Sequence, residues 1–353
     1  MINLFITGML RSGTTLLEKA LNTHPEIKIF YQPFPEFFIH TKQQFLKDKG
    51  LDPTYHVLSH YCDGADYSPS DFSVWLDRAI LSRTFLTRVL PVEIPLPLDE
   101  GVPPERLFHQ WYSFLTEQLS RSKHIRCTGT KEVLMEEYIP HLISHHIRCA
   151  IVVRDPRDVI TSLDFGSGME YGGDHRPTLF NLRNWRKSAL FALAMGEAEN
   201  FCLISFEDLV LNPIETLDKL ANKLSIPPFH EEWWANGFRD KNGSIWKGNS
   251  SFGDIKPFDS GAVGGHRRKL PEDTIKYIEA ICRREMMVMG YDVSPSSISE
   301  CKKRIAKFKE PFRVNRPEFL PDYSSLSENV AFETKRLELP DVNSFYWVSG
   351  LVQ

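Results

Sequence analysis

The chain has no apolar run approaching the roughly 18 residues that a membrane-spanning helix needs, so no membrane partner is expected. It also has no basic surplus. Lys and Arg number 42 against 46 Asp and Glu, for a formal net charge of −4. A surface of that balance argues against nucleic acid as a general partner and leaves room for local basic pockets that bind a small anion. Cysteine is scarce: Cys62, Cys127, Cys149, Cys202, Cys282 and Cys301 are scattered with no C-x-x-C spacing. That pattern predicts reduced thiols in a cytoplasmic protein rather than a disulfide frame or a zinc site, and no metal ligands are assigned. Met1 leads directly into an apolar run, which leaves no stretch for a leader peptide and fits the same cytoplasmic expectation. Internal repeats and low-complexity segments are missing as well.

The 353 residues, 42% of them apolar, suffice for one large α/β domain or two small ones. Three buried-type strands stand out, Ile2 to Thr7, Cys149 to Val153 and Phe201 to Phe206, each followed by a helical pattern. Leu16, Leu17, Ala20 and Leu21 recur at helical spacing after the first. After the second, Asp155 is placed to cap a helix and Pro156 suits its first position. After the third, the helical pattern is interrupted at Pro213. Such alternation predicts a parallel sheet with helices on both faces. The aromatic-rich stretch of about 41–126 contains no strong strand and reads as a mostly helical insertion able to cover a substrate. Residues 295–353 read as an extension packed on the main domain, which spans 1–294.

The first strand runs into "GMLRSGTT", Gly8 to Thr15, with the spacing of the phosphate loop G-x-x-x-x-G-K-[ST]. The lysine is missing: Thr14 takes its place, and Arg11 supplies a cation three positions earlier. In ATP enzymes that lysine reaches the β- and γ-phosphates, and the next hydroxyl holds magnesium. A loop with Arg11, Ser12, Gly13, Thr14 and Thr15 instead suits an anion without a γ-phosphate, held by backbone N–H groups at a helix start. A second anion site is predicted in "VVRDPRDVITSL", where Arg154 closes a strand and Ser162 lies eight residues on. A guanidinium clamps a phosphate in two places and a serine hydroxyl can share the same anion. Arg157 and Asp158 between them read as a solvated pair.

"RSGTTLLEKALNTHP", down to His24 and Pro25, resembles the 5′-phosphosulfate loop of sulfotransferases that use 3′-phosphoadenosine-5′-phosphosulfate, most similar to the bacterial and tyrosylprotein branches. The resemblance implies a P-loop-like three-layer α/β sandwich with a central parallel sheet, and that phosphosulfate as co-substrate with no metal required. It implies that Arg154 and Ser162 hold the 3′-phosphate of the donor. "ISFEDLVLNP" resembles the family's Y-E-D-L segment, with Phe206 in place of tyrosine beside the adenine. "GNSSFG" resembles a serine-bearing loop reaching the phosphosulfate, which implicates Ser250 as a donor contact and Ser251 in the chemistry. "SGAVGGHRRKL" resembles the late glycine-and-arginine loop; His266 occupies the usual tryptophan position, which favours Arg267 as the donor ligand with Arg268 in support.

Sulfuryl transfer builds charge on the leaving bridging oxygen, so cations there help most. Arg11 is one, and the resemblance places Lys131 of "GTKEVL" as the second. An acceptor hydroxyl needs a base within hydrogen-bond reach. Glu36 of "YQPFPEFF" resembles the family's catalytic glutamate, among prolines and phenylalanines expected to desolvate it; His40 is the alternative. His145 and His146 read as solvated. The implied acceptor is a hydroxylated small molecule, with peptide tyrosine left open. Two rival readings remain at this point: a P-loop kinase-type phosphotransferase, and a nucleotide-binding module without catalysis.

Overall fold

The computed structural model describes residues 1–51, 69–91, 104–120, 124–164, 176–240, 243–246, 248, 258–311, 314 and 326–338. Its centre is β1 (Ile2–Thr7), whose Leu4, Phe5 and Ile6 are all fully buried. Because side chains alternate across a strand, Phe5 enters one core and Leu4 and Ile6 another. A strand apolar on both faces must be covered on both, which is the parallel arrangement. The order is β2-β5-β1-β6-β7, with β2 (Ile27–Tyr31), β5 (Cys127–Lys131), β6 (Arg148–Val153) and β7 (Phe201–Ser205) all parallel to their neighbours. Register places Leu4 beside Gly129 on one side and Phe5 beside Cys149 on the other.

The short β3 (Ile80–Ser82) and β4 (Glu105–Leu107) pair antiparallel outside this sheet, inside the segment expected to hold no strong strand. Around them lie α2 (Pro35–Asp48), α3 (Pro69–Leu76), α4 (Arg83–Val89) and α5 (Phe108–Ser120), following α1 (Thr14–Leu21). Phe37, Phe38, Phe108, Tyr112 and Tyr138 interlock there as edge-to-face and stacked rings. They cover the Phe5 face of the sheet. The other helices are α6 (Ile139–Ser144), α7 (Pro156–Asp164), α8 (Thr178–Met195), α9 (Phe206–Leu211), α10 (Pro213–Leu224), α11 (His266–Lys269), α12 (Glu272–Val288), α13 (Ile298–Lys307) and α14 (Leu326–Arg336). Helix α14 is tied to α8 by charge: buried Glu333 accepts from Arg183 Nε at 2.9 Å and from Arg336 Nε at 2.7 Å. No helix among the described residues is long and apolar enough to cross a membrane. Cys127, Cys149, Cys202, Cys282 and Cys301 are free thiols.

The strand order reverses around β1. The chain leaves it toward β2 on one side and later occupies β6 and β7 on the other. In open α/β sheets a crevice forms at such a reversal, beyond the carboxyl ends of the strands. That is where the phosphate-loop residues and Arg154 emerge.

Candidate anion-binding and active site

The loop after β1 hands directly to α1 through Gly13, in the left-handed region at φ 98°. A Cβ at Gly13 would lie 2.4 Å from the Phe206 ring, so the position needs glycine for space as well as for backbone. Arg11 is also left-handed, φ 66°, a conformation that costs a non-glycine residue about 1–2 kcal/mol. Among the described residues no side chain caps α1. The leading N–H groups, those of Gly13, Thr14 and Thr15, have no preceding carbonyl in helical register. Thr14 is buried and Thr15 half-buried. Ser12 is fully buried, and its Oγ has no hydrogen-bond partner among the described residues.

Arg154 follows the last residue of β6, the strand beside β1, and so emerges next to this loop. Its NH1 donates to Arg11 O at 3.2 Å and its NH2 to Ala262 O at 2.6 Å. The guanidinium lies 4.2 Å over the Phe206 ring, while Trp185 Nε1 donates to Arg154 O at 2.7 Å and fixes the backbone. Its Nε is buried without a hydrogen-bond partner among the described residues. Burial, and secondarily the nearby Arg11, pull Arg154 below the usual arginine range. Arg11 Nε in turn donates to Ser162 Oγ at 2.9 Å. Arg11, Arg154 and Ser162 therefore form one group, although they come from separate stretches of sequence. Phe206, buried between Gly13 and Arg154, packs under both.

Asp155 caps α7, its Oδ1 accepting from Arg157 N at 2.8 Å. The expectation that Arg157 and Asp158 are solvated is overturned. Arg157 is buried against Asp155 and Glu279. Asp158, 2% exposed, accepts from Gly264 N at 2.7 Å and from His266 N and Nδ1 at 2.8 Å each. Burial alone would raise its pKa, but the His266 hydrogen bonds and the Arg154 charge hold it below the ordinary aspartate range. Asp158 thus pins the 262–266 turn whose Ala262 carbonyl meets Arg154, and sequence reading missed it. Exposed Arg267 and Arg268 follow on α11. Lys269, also missed, is held below the usual lysine range by desolvation, then by Arg268. Ser250 and Ser251 lie outside the described residues.

At the end of β5, Lys131 is 1% exposed, its Nζ 3.3 Å from Gln32 Oε1 and 3.6 Å from the centroid of the Tyr31 ring. Gln32 is left-handed, φ 40°, and its N–H donates to Lys131 O. The next residue, Glu132, is 1% exposed, and burial pushes its carboxyl up to about 8 against the pull of Lys131 and the Phe34 N–H. Glu36, in the first turn of α2, is 55% exposed and 3.3 Å from His40. Phe34, Phe37 and Phe38 turn into the core instead of shrouding it. The apolar setting expected for Glu36 is found at Glu132. Below it, Lys187 Nζ reaches Leu134 O, Glu136 and Glu137 at 3.0 Å each, and Lys42 bonds Glu137. This buried network fixes the segment following β5.

Away from this crevice, His145 is half-buried rather than solvated and joins His109 and His141 in a tight group. His146 alone is exposed, as expected. The spacing of His141 and His145, one helical turn, was the available sequence signal.

Among solved structures, the chain is similar to a sulfotransferase domain from the curacin biosynthetic pathway: 17% identity, 83% of this chain and 99% of that one, TM-score 0.44. It is similar to the sulfotransferase domain of the Synechococcus PCC 7002 olefin synthase: 18% identity, 83% and 96% coverage, TM-score 0.48. A sulfotransferase from Alicyclobacillus acidocaldarius matches at 12% identity, 83% and 97% coverage, TM-score 0.38. No curated protein matches at a significant level. The family model described as "Sulfotransferase family" matches residues 3–231, well over half the chain and the stretch carrying Arg11, Lys131, Arg154 and Ser162. The chain belongs to the sulfotransferase family.

Proposed function

We propose that the chain moves a sulfuryl group in line from 3′-phosphoadenosine-5′-phosphosulfate to the hydroxyl of a small-molecule acceptor, with peptide tyrosine as the alternative acceptor. In this reading residues 1–294 carry the reaction and 295–353 form an extension packed on them. The N–H groups and hydroxyls of Ser12, Gly13, Thr14 and Thr15 take the 5′-phosphosulfate. Arg154 and Ser162, aided by Arg267 and Arg268, take the 3′-phosphate. Phe206 supports the adenine side, and Ser250 and Ser251 contact the donor.

In the transfer the S–O bond to the 5′-phosphate breaks as a bond from the acceptor oxygen to sulfur forms. Adenosine 3′,5′-bisphosphate leaves, and the acceptor proton passes to a carboxylate. Arg11 and Lys131 stabilise the charge gathering on the leaving oxygen. Glu36 is the assigned base. A second assignment, Glu132, is favoured by its burial, which raises its carboxyl to about 8 despite Lys131. It accepts the proton in its ionised fraction, so turnover through it should rise with pH toward that value.

The observation that carries the reading is the convergence of Arg11, Arg154 and Ser162 through bonds of 2.9 and 3.2 Å, with the Arg154 Nε buried and unpartnered among the described residues. A desolvated guanidinium held on the backbone of a loop that carries a second arginine gains most from a multiply charged anion. The test is to incubate the full chain with the sulfated donor and a panel of hydroxylated acceptors, following acceptors that gain one SO₃ by mass spectrometry. Glu36→Gln and Glu132→Gln, each with a thermal melt as folding control, separate the bases: loss of turnover at saturating donor identifies the proton acceptor. A panel giving no sulfated product and no bisphosphate release rejects the proposal.

A further inference from the structure

The proposed chemistry uses none of His109, His141 and His145. Helix α6 crosses back from the end of β5 to the start of β6, so His141 and His145 stand toward the edge of the sheet opposite the phosphate loop. His109 comes from α5, and Asp77 from the residue after α3. The three histidines offer ring nitrogens that all lie within 4.8 Å of one another. Asp77 Oδ1 lies 2.8 Å from His141 Nδ1 and 2.9 Å from His145 Nε2. The His109 and His145 rings stack at 3.5 Å with 9° between their planes.

A histidine kept in a core for packing normally spends both ring nitrogens on hydrogen bonds. Here His141 is fully buried, and its Nε2 has no partner among the described residues. His109 Nδ1 is likewise buried and unpartnered. Each neutral imidazole carries one lone pair as well as one N–H donor, and a shared cation would take up the three lone pairs that converge here.

We infer that His109, His141 and His145, with Asp77, form a structural site for a divalent transition-metal ion of the zinc class. Three imidazoles and one carboxylate make a four-coordinate nitrogen-and-oxygen set suited to that ion. Tetrahedral coordination at about 2.0–2.1 Å sets ligand atoms about 3.3 Å apart, which draws the histidine nitrogens together, moves Asp77 Oδ1 back from His141 and His145, and turns the His109 ring off its stack. The ion fastens α3 and α5, both outside the sheet, to α6 against it. Such a site departs from the sequence-based expectation of no metal ligands at these four residues.

The test uses the full chain, purified without an affinity tag that binds metal. The expected result is one zinc per chain by elemental analysis, a melting temperature lowered by chelator and restored by Zn²⁺, and a visible tetrahedral Co²⁺ spectrum on replacement. His109→Gln and His145→Gln, at partly exposed positions, should each weaken Co²⁺ binding by about tenfold or more while keeping the wild-type far-ultraviolet circular dichroism. Asp77→Asn distinguishes a directly bound carboxylate, which alters the spectrum, from one that only orients the rings, which weakens affinity without altering it; both outcomes support the site. Substoichiometric metal with no response of melting to Zn²⁺ overturns the inference. So does equal Co²⁺ binding by wild type and the histidine variants, which identifies surface binding elsewhere. These readouts do not involve sulfuryl transfer, so they stand apart from the proposed activity.

Discussion

Replacing Arg154 by lysine keeps the charge and removes the planar fork, which makes it a sharp probe of the paired anion site. The guanidinium holds Arg11 O at 3.2 Å and Ala262 O at 2.6 Å and lies 4.2 Å over Phe206. An ammonium on a flexible stem can keep one carbonyl at best and does not stack in the same way. Hydrogen bonds to charged groups contribute about 1.5–3 kcal/mol each. Losing one toward a 3′-phosphate therefore weakens binding by about 10- to 150-fold. Calorimetric titration with adenosine 3′,5′-bisphosphate and with adenosine 5′-monophosphate separates the two roles of this residue. Arg154→Lys should reduce affinity for the bisphosphate by that factor and for the monophosphate by only about threefold, the share arising from a loosened Arg11. An equal loss for both ligands would refute the reasoning, because Arg154 would then act only as a brace for the first loop.

Gly13→Ala should abolish bisphosphate binding and lower the melting temperature, because Phe206 must move and the φ of 98° suits no side chain; the cost expected is about 1–3 kcal/mol, and an unchanged denaturant midpoint counts against it. Asp158→Ala leaves three donors without an acceptor and should cost about 3 kcal/mol at neutral pH. Because the folded pKa of Asp158 is depressed, its contribution is present above the unfolded value and lost as pH falls through the folded one. The wild-type advantage in a chemical melt should therefore shrink on acidification, and an advantage independent of pH would exclude the ionised form as the brace. Glu132 behaves in the opposite sense. Its pKa is raised from 4.5 to about 8, so the folded protein holds a proton that the unfolded chain releases, and stability falls as pH rises through that window. Glu132→Gln should gain in relative melting temperature between pH 5 and 8; a constant difference across the range would mean the carboxyl is not desolvated in solution.

The strands legible in the sequence were the ones that are apolar in a row. Ile2–Thr7 and Arg148–Val153 carry continuous buried runs, Phe201–Ser205 is apolar in a row although only Phe201 and Ile204 are buried, and the loop following β1 announces itself by Gly8, Gly13 and the hydroxyls. Strand β5 did not read as a member of the sheet, although it lies between β1 and β2. Its sequence is Cys-Thr-Gly-Thr-Lys, and all five residues are buried. Thr130 meets the Tyr112 hydroxyl at 3.2 Å and Thr128 Oγ1 bonds Thr116 O, so tertiary partners satisfy groups that propensity counts as polar. Gly129 is there for close approach: a Cβ would sit 1.7 Å from Leu4 O.

The site was partly legible for the same kind of reason. Arg11, Arg154 and Ser162 sit in local motifs whose chemistry is explicit, and the sheet order supplies their meeting point. Asp158, Glu132, Gln32 and Lys269 act through partners remote in the chain. No local pattern distinguishes a carboxylate that pins a turn 108 residues away, as Asp158 does with His266, from one in a solvated pair. The histidine group is the extreme case, assembled from α5, α6 and the end of α3.

The central claim is that the crevice beside β1 is built for an adenosine nucleotide phosphorylated at both 3′ and 5′ positions, rather than for a magnesium triphosphate. Titrating the full chain with adenosine 3′,5′-bisphosphate and with ATP, each with and without magnesium, tests this directly. The account predicts tight bisphosphate binding indifferent to magnesium and at least about 100-fold weaker binding of ATP, the 3′-phosphate contacts contributing about 3 kcal/mol. Preference for ATP, with affinity that depends on the metal, would contradict it.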